Sequence, residues 1–133
     1  MPAAFVSVYL INGLAFLLYS WTGIMVGRER ARSGIHSPVM TGDVGLERAL
    51  RVQQNTLEQL VVFVPASILF AFLVNPLAAA ILGIAWLVGR TLYIPLYMRE
   101  PSSRGLAFGL AAIAQLILML GVVAGSIWML LRG

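Results

Sequence analysis

The sequence predicts an all-α integral membrane protein, a bundle of four membrane-crossing helices. Three observations carry this. Of 133 residues, 60% are hydrophobic and 11% charged, with a mean hydropathy of +0.92, where a soluble domain carries about 25% charged residues. Surface that apolar needs lipid to cover it. Its apolar residues gather into four long runs divided by short polar or turn-forming segments.

The first run contains no charged side chain before Arg28, and Phe5–Val26 (residues 5–26) can span a hydrocarbon core of roughly 30 Å. It lacks the basic start of a signal peptide, and its apolar run is longer than a signal peptide's, so it reads as a retained helix. Arg28, Glu29, Arg30 and Arg32 then open a polar stretch with Ser33-Gly34, Ser37-Pro38 and Thr41-Gly42-Asp43. These are turn and breaker residues, and they predict a loop from Gly27 to about Gly45. Asp43 is placed to cap the second helix (44–74), and Glu47 in its first turn complements the helix dipole. That helix starts polar, becomes apolar from Leu60, and carries Pro65, which predicts a kink. Asn75-Pro76 predicts a tight connection, with Asn75 capping and Pro76 first in the third helix (76–98). A short loop through Arg99, Glu100 and Pro101 leads to the fourth helix (103–131). In that helix Gly105-x-x-x-Gly109 and Gly121-x-x-x-Gly125 predict helix-packing surface. The length suits one domain, 1–133.

All nine basic residues are arginine. Arg28, Arg30, Arg32, Arg48, Arg51, Arg99 and Arg104 fall beside the two polar loops, and only Arg132 lies at the other ends of the helices. The positive-inside rule puts these loops in the cytoplasm and both termini on the opposite side. No soluble basic face exists for nucleic acid to bind. Cysteine is absent, so any thiol chemistry requires a ligand's thiol. No metal-ligand cluster, phosphate loop or Ser/His/Asp set can be assembled, and His36 stands without partners.

The remaining polar residues form two stripes. On the second helix Arg51, Asn55 and Glu58 repeat at i, i+4 and i+7, with Gln54 alongside. On the third, Arg90, Tyr93 and Tyr97 repeat at i, i+3 and i+7. Both stripes sit at the loop-bearing ends, so the pattern predicts that they face one another with Arg104 beside them. A carboxylate within an apolar segment needs a partner. One reading is an ion pair of Glu58 with Arg51 or Arg90 that orders the bundle. The other is a pocket for a small zwitterion, with arginines for carboxylates, Glu58 for an ammonium and tyrosines for hydrogen bonds.

The run Glu47-Arg48-Ala49-Leu50-Arg51-Val52-Gln53-Gln54-Asn55-Thr56-Leu57-Glu58 resembles the signature of the MAPEG family, membrane-associated proteins in eicosanoid and glutathione metabolism. The run Arg90-Thr91-Leu92-Tyr93-Ile94-Pro95-Leu96-Tyr97, followed by Arg104, is similar to the family's second motif. The likeness covers all four helices, and the wording Asn-Thr-Leu-Glu-Gln-Leu-Val looks most like bacterial members, which implies a bacterial inner membrane. The resemblance, to the microsomal glutathione transferase and leukotriene C4 synthase branches, implies a homotrimer that binds glutathione between subunits near the cytoplasmic face. It implies a glutathione S-transferase acting on lipophilic electrophiles that arrive from the membrane lipid, with glutathione peroxidase activity as a further use of the thiol. Arg51, Asn55, Glu58, Tyr93 and Tyr97 match glutathione-binding positions, and Gln53 and Arg30 match positions supplied by a neighbouring subunit. Arg104 matches the arginine against the thiol, where a fixed positive charge lowers the thiol pKa and yields the nucleophilic thiolate. The sequence departs from the prostaglandin E synthase branch at Gln54 and Tyr93, and from the leukotriene branch at Gln59. The family also contains a lipid-binding member without glutathione chemistry, which is the alternative function the resemblance implies.

Overall fold

The computed structural model describes residues 1–133 and consists of helices and short connections. Helix α1 spans Ala3–Ser33, α2 Val44–Leu73 and α3 Pro76–Arg99; a 3-10 turn, Pro101–Arg104, leads into α4, Gly105–Arg132. Each of the four long helices is apolar and long enough to cross a membrane, and the chain is an integral membrane protein. Large apolar side chains such as Leu10, Leu17, Phe72, Ile81, Ile113 and Leu120 line the exterior, as a lipid-facing surface requires.

Helix α1 continues seven residues past the expected end at Val26. Arg28, Glu29, Arg30 and Arg32 therefore lie on its last two turns, and the loop begins at Gly34, whose φ of 73° ends the helix in the left-handed region. Arg32 closes the α1–α2 hairpin by bridging Glu29 at 2.7 Å and Asp43. Asp43 accepts the Leu46 amide at 2.9 Å, the expected cap of α2. That backbone hydrogen bond, aided by Arg32, holds the Asp43 carboxyl below its usual range. At the other turn Asn75 accepts the Ala78 amide at 2.9 Å and Pro76 opens α3. Pro65 and Pro95 sit inside continuous helices.

The core is aromatic at its centre. Trp86 of α3 is fully buried and stacks on Phe63 of α2 at 4.0 Å, nearly parallel, while its indole N–H donates to Gln115 of α4 at 3.1 Å. Small residues let the helices close around this pair, among them Ala15, Ala66, Ala80, Ala111 and Ala114. One buried polar bridge, Asn12 to Ser67 at 3.1 Å, joins α1 to α2. Neither residue's pairing was legible from local spacing. Arg48, at the start of α2, donates to the carbonyls of Met98 and Arg99 at 3.0 and 2.8 Å. It thereby satisfies two of the orphan acceptors at the end of α3.

The glycine expectation holds for one pair and fails for the other. A side chain at Gly121 would strike Phe70, and Gly125 lies against Leu73 and Val74. Gly105 and Gly109 meet nothing within 4 Å, because they lie on the side of α4 turned away from the rest of the chain. The closest approach to another helix's backbone is instead at Gly89, where an added Cβ would stand 2.8 Å from both the Ala107 carbonyl and the Ala111 amide. Backbone atoms cannot swing aside. Gly89→Ala should therefore push α3 from α4 and lower stability by about 1–3 kcal/mol, seen as a reduced Tm in detergent. Gly109→Ala should leave Tm unchanged or raise it.

Candidate functional site

The two polar stripes do not face one another across a shared pocket. On a helix successive residues turn by about 100°, so Arg51, Gln54 and Glu58 centre on one direction while Val52, Thr56, Gln59 and Phe63 centre roughly 120° away. The second set is buried against the bundle, and the first is turned outward. Arg51, Gln54 and Glu58 line an open groove of about 480 Å³ with Met40, Thr41, Glu47 and Leu50. Glu58 accepts a hydrogen bond from Gln54 at 3.2 Å. It has no arginine partner: the ion pairs of the chain are Arg32 with Glu29 and Arg32 with Asp43. The ion-pair reading of Glu58 is thus not met: Arg90 points to the inner side of α2 and Glu58 to the outer, and Arg51, on the outer side too, forms no ion pair with it.

Arg90 is wholly buried. Its Nη1 donates to Asn55 Oδ1 at 2.8 Å and its Nη2 to Thr56 Oγ1 at 2.6 Å, and its guanidinium lies 4.1 Å from the centre of the Tyr93 ring. These neutral partners carry a permanent charge into the bundle without a carboxylate. Asn55 belongs geometrically to both sets, because it sits at the inner edge of the outward stripe. Its carbonyl oxygen is held by Arg90, and its amide nitrogen has no partner within the chain. Nothing in the sequence marks Thr56, because a threonine inside an apolar helix usually bonds back to its own backbone. It does so here as well, donating to the Val52 carbonyl at 2.7 Å, which leaves its oxygen free to accept from Arg90.

From Arg90 a stack of aromatic rings runs toward the arginine-rich end and closes on a second cation. The rings of Tyr93 and Tyr97 are 5.5 Å apart, and Tyr93 also lies 6.2 Å from Phe108. Arg104 completes it, with its guanidinium 5.4 Å from the Tyr97 ring and 5.7 Å from Phe108. The 3-10 turn places Arg104 there, anchored by Ser103, whose hydroxyl donates to Glu100 at 2.7 Å and lies 3.0 Å from the Leu96 carbonyl. The Tyr93 hydroxyl and Arg90 Nε are enclosed without a protein partner. Arg104 is only half-buried, so the stack leads from a dry interior to an accessible cation. Such an arrangement can hold and stabilise an anion at its open end.

The remaining expected residues lie elsewhere. Gln53 is on the opposite side of α2 from Arg51 and approaches Gly23 of α1. Arg30 donates to the carbonyls of Ile35 and Val39 at 3.3 and 2.7 Å, folding the α1–α2 loop. Within one chain, then, Asn55, Tyr93, Tyr97 and Arg104 gather through Arg90, Arg51 and Glu58 occupy an adjoining outer groove, and Gln53 and Arg30 join neither.

Known proteins resemble this sequence. The chain is 45% identical over 121 residues to an uncharacterised protein of Synechocystis sp., sll1147, covering 91% of this chain and 88% of the other. It is 33% identical over 82 residues to a probable microsomal glutathione S-transferase of Dictyostelium discoideum, covering 62% and 55%. It is 29% identical over 122 residues to mouse microsomal glutathione S-transferase 2, covering 89% and 81%. The pattern common to the MAPEG family matches residues 8–124, a span that takes in both polar stripes, the cation–ring stack and all four helices. This chain belongs to the MAPEG family.

Proposed function

We propose that the protein is a glutathione S-transferase of the membrane, which binds glutathione, holds its thiol as a thiolate beside Arg104 and joins it to lipophilic electrophiles. The observation that carries the reading is the stack from Arg90 through Tyr93 and Tyr97 to Arg104. Relatives named as microsomal glutathione S-transferases support the choice of ligand. A glutathione thiol is mostly protonated at neutral pH, and a fixed guanidinium beside it favours the ionised form. The thiolate sulfur attacks the electrophilic carbon and forms a thioether, while the leaving group departs with its electron pair. Arg51 suits a glutathione carboxylate, Glu58 its ammonium, and the Asn55 amide a peptide carbonyl.

The site is completed by a second and third copy in this reading. Glu58 at the level of the apolar spans would be expensive facing lipid, and a neighbouring subunit covering the α2 groove removes that exposure. Gln53 and Arg30, remote from Arg51 in their own chain, would reach the groove of a neighbour. We place the arginine-rich end in the cytoplasm, by the asymmetry of the loops, and the protein in a bacterial inner membrane.

Calorimetry on detergent-purified protein should show saturable glutathione binding in the millimolar range or tighter, with conjugation to a chloronitrobenzene electrophile. Absence of saturation overturns the transferase reading, and binding without conjugation favours a non-catalytic lipid-binding protein. Arg51→Ala and Glu58→Ala should each weaken binding about 10- to 100-fold, the range for a lost charge-assisted hydrogen bond. Arg104→Ala should keep binding within a few-fold but raise the thiol pKa of the complex, read from thiolate absorbance against pH. Equal behaviour of the three variants would refute the division of roles. Cross-linking in native membranes should end at trimer; a ladder ending at monomer or dimer would remove the shared site.

A further inference from the structure

A second cavity, of about 490 Å³, lies between α1 and α3 and has no part in the site above. Its α3 wall is Thr91, Ile94, Pro95 and Met98, on a face roughly 120° around the helix from Arg90, Tyr93 and Tyr97. Its α1 wall runs from Leu18 through Met25 to Arg28, roughly 15 Å of helix. The volume falls within the usual range for small-ligand sites, about 300–1,000 Å³.

Charge separates the two ends of this cleft. The Leu18 end is apolar. At the other, Arg28 is the first charged residue after 27 uncharged ones, and its guanidinium is held 4.7 Å over the Trp21 ring. Glu29, also at this end, is occupied by Arg32 at 2.7 Å. Arg28 makes no ion pair and no side-chain hydrogen bond in the chain, so the cleft presents one fixed, uncompensated cation above an apolar slot. Interfacial tryptophan and arginine set the depth of this end at the lipid headgroups.

We propose that the cleft is a binding site for an anionic phospholipid, with its phosphate on Arg28 and one acyl chain along Leu18, Met25, Ile94 and Met98. Phosphate matches a free guanidinium, and the slot runs from headgroup depth toward the bilayer centre. Basic pockets between membrane helices are general sites for such headgroups. The proposal stands apart from glutathione chemistry and does not depend on it.

Nanodiscs of mixed phosphatidylglycerol and phosphatidylcholine, followed by native mass spectrometry of the released protein, test it. Wild-type chains should retain phosphatidylglycerol over phosphatidylcholine by about fivefold, the discrimination expected of one interfacial arginine. Arg28→Gln should abolish this preference, while Arg99→Gln, an exposed arginine at the same end of the bundle, should leave it intact. Met25→Trp, which fills the slot, should reduce retention of both lipids. Equal retention of the two lipids by wild type, or equal losses from Arg28→Gln and Arg99→Gln, would overturn the proposal. Undiminished retention in a folded Met25→Trp variant would overturn it too.

Discussion

The structure depends on where a permanently charged side chain can be put inside a membrane bundle. Arg90 cannot deprotonate and is fully enclosed, so everything near it must supply acceptors or electron density. Asn55 and Thr56 do so from α2 and the Tyr93 ring does so from α3 itself. These contacts fix the rotation of α2 against α3. That rotation turns Arg51, Gln54 and Glu58 outward, and it sets the line of rings that ends at Arg104. Removing an acceptor from such a group is more costly than losing one ordinary hydrogen bond, because the charge remains and cannot reach water.

The other arginines divide by depth and task. Arg32 and Arg30 organise the α1–α2 connection, one by ion pairs and one by backbone carbonyls. Arg48 caps the end of α3 from the neighbouring helix. Arg28 and Arg104 each lie over aromatic rings and carry no carboxylate partner. A side chain that cannot lose its charge serves all these roles, and the absence of lysine suits a bundle with few acids to pair against. The same end of the molecule thus combines loop structure with two cations that no carboxylate neutralises.

The family's two motifs are periodic, which is why they are legible in the sequence. Spacing alone, however, led to a shared face for Arg51, Glu58, Arg90 and Tyr93. It could not distinguish an inner from an outer stripe on α2, because both sides of that helix carry polar groups near its start. Asn55 was recognised as polar, but its partner 35 residues away was not. Nor does spacing reveal the acceptor role of Thr56 or the contact of Arg48 with the end of α3, since both partners lie on another helix.

By itself the sequence determined four apolar spans, the capping residues Asp43 and Asn75, the loop-side clustering of arginines and the family. These rest on local chemistry: hydropathy over 20 residues, a side-chain oxygen near free amides, and residue order within a motif. Tertiary structure alone decided that α1 runs on to Ser33, that Gly89 of α3 rather than Gly109 of α4 is where these two helices meet closely, and that Glu58 finds no arginine. It also decided that Arg90 faces inward. Each of these turns on how one helix is rotated and set against another, and that depends on how side chains far apart in the chain fill the space between them.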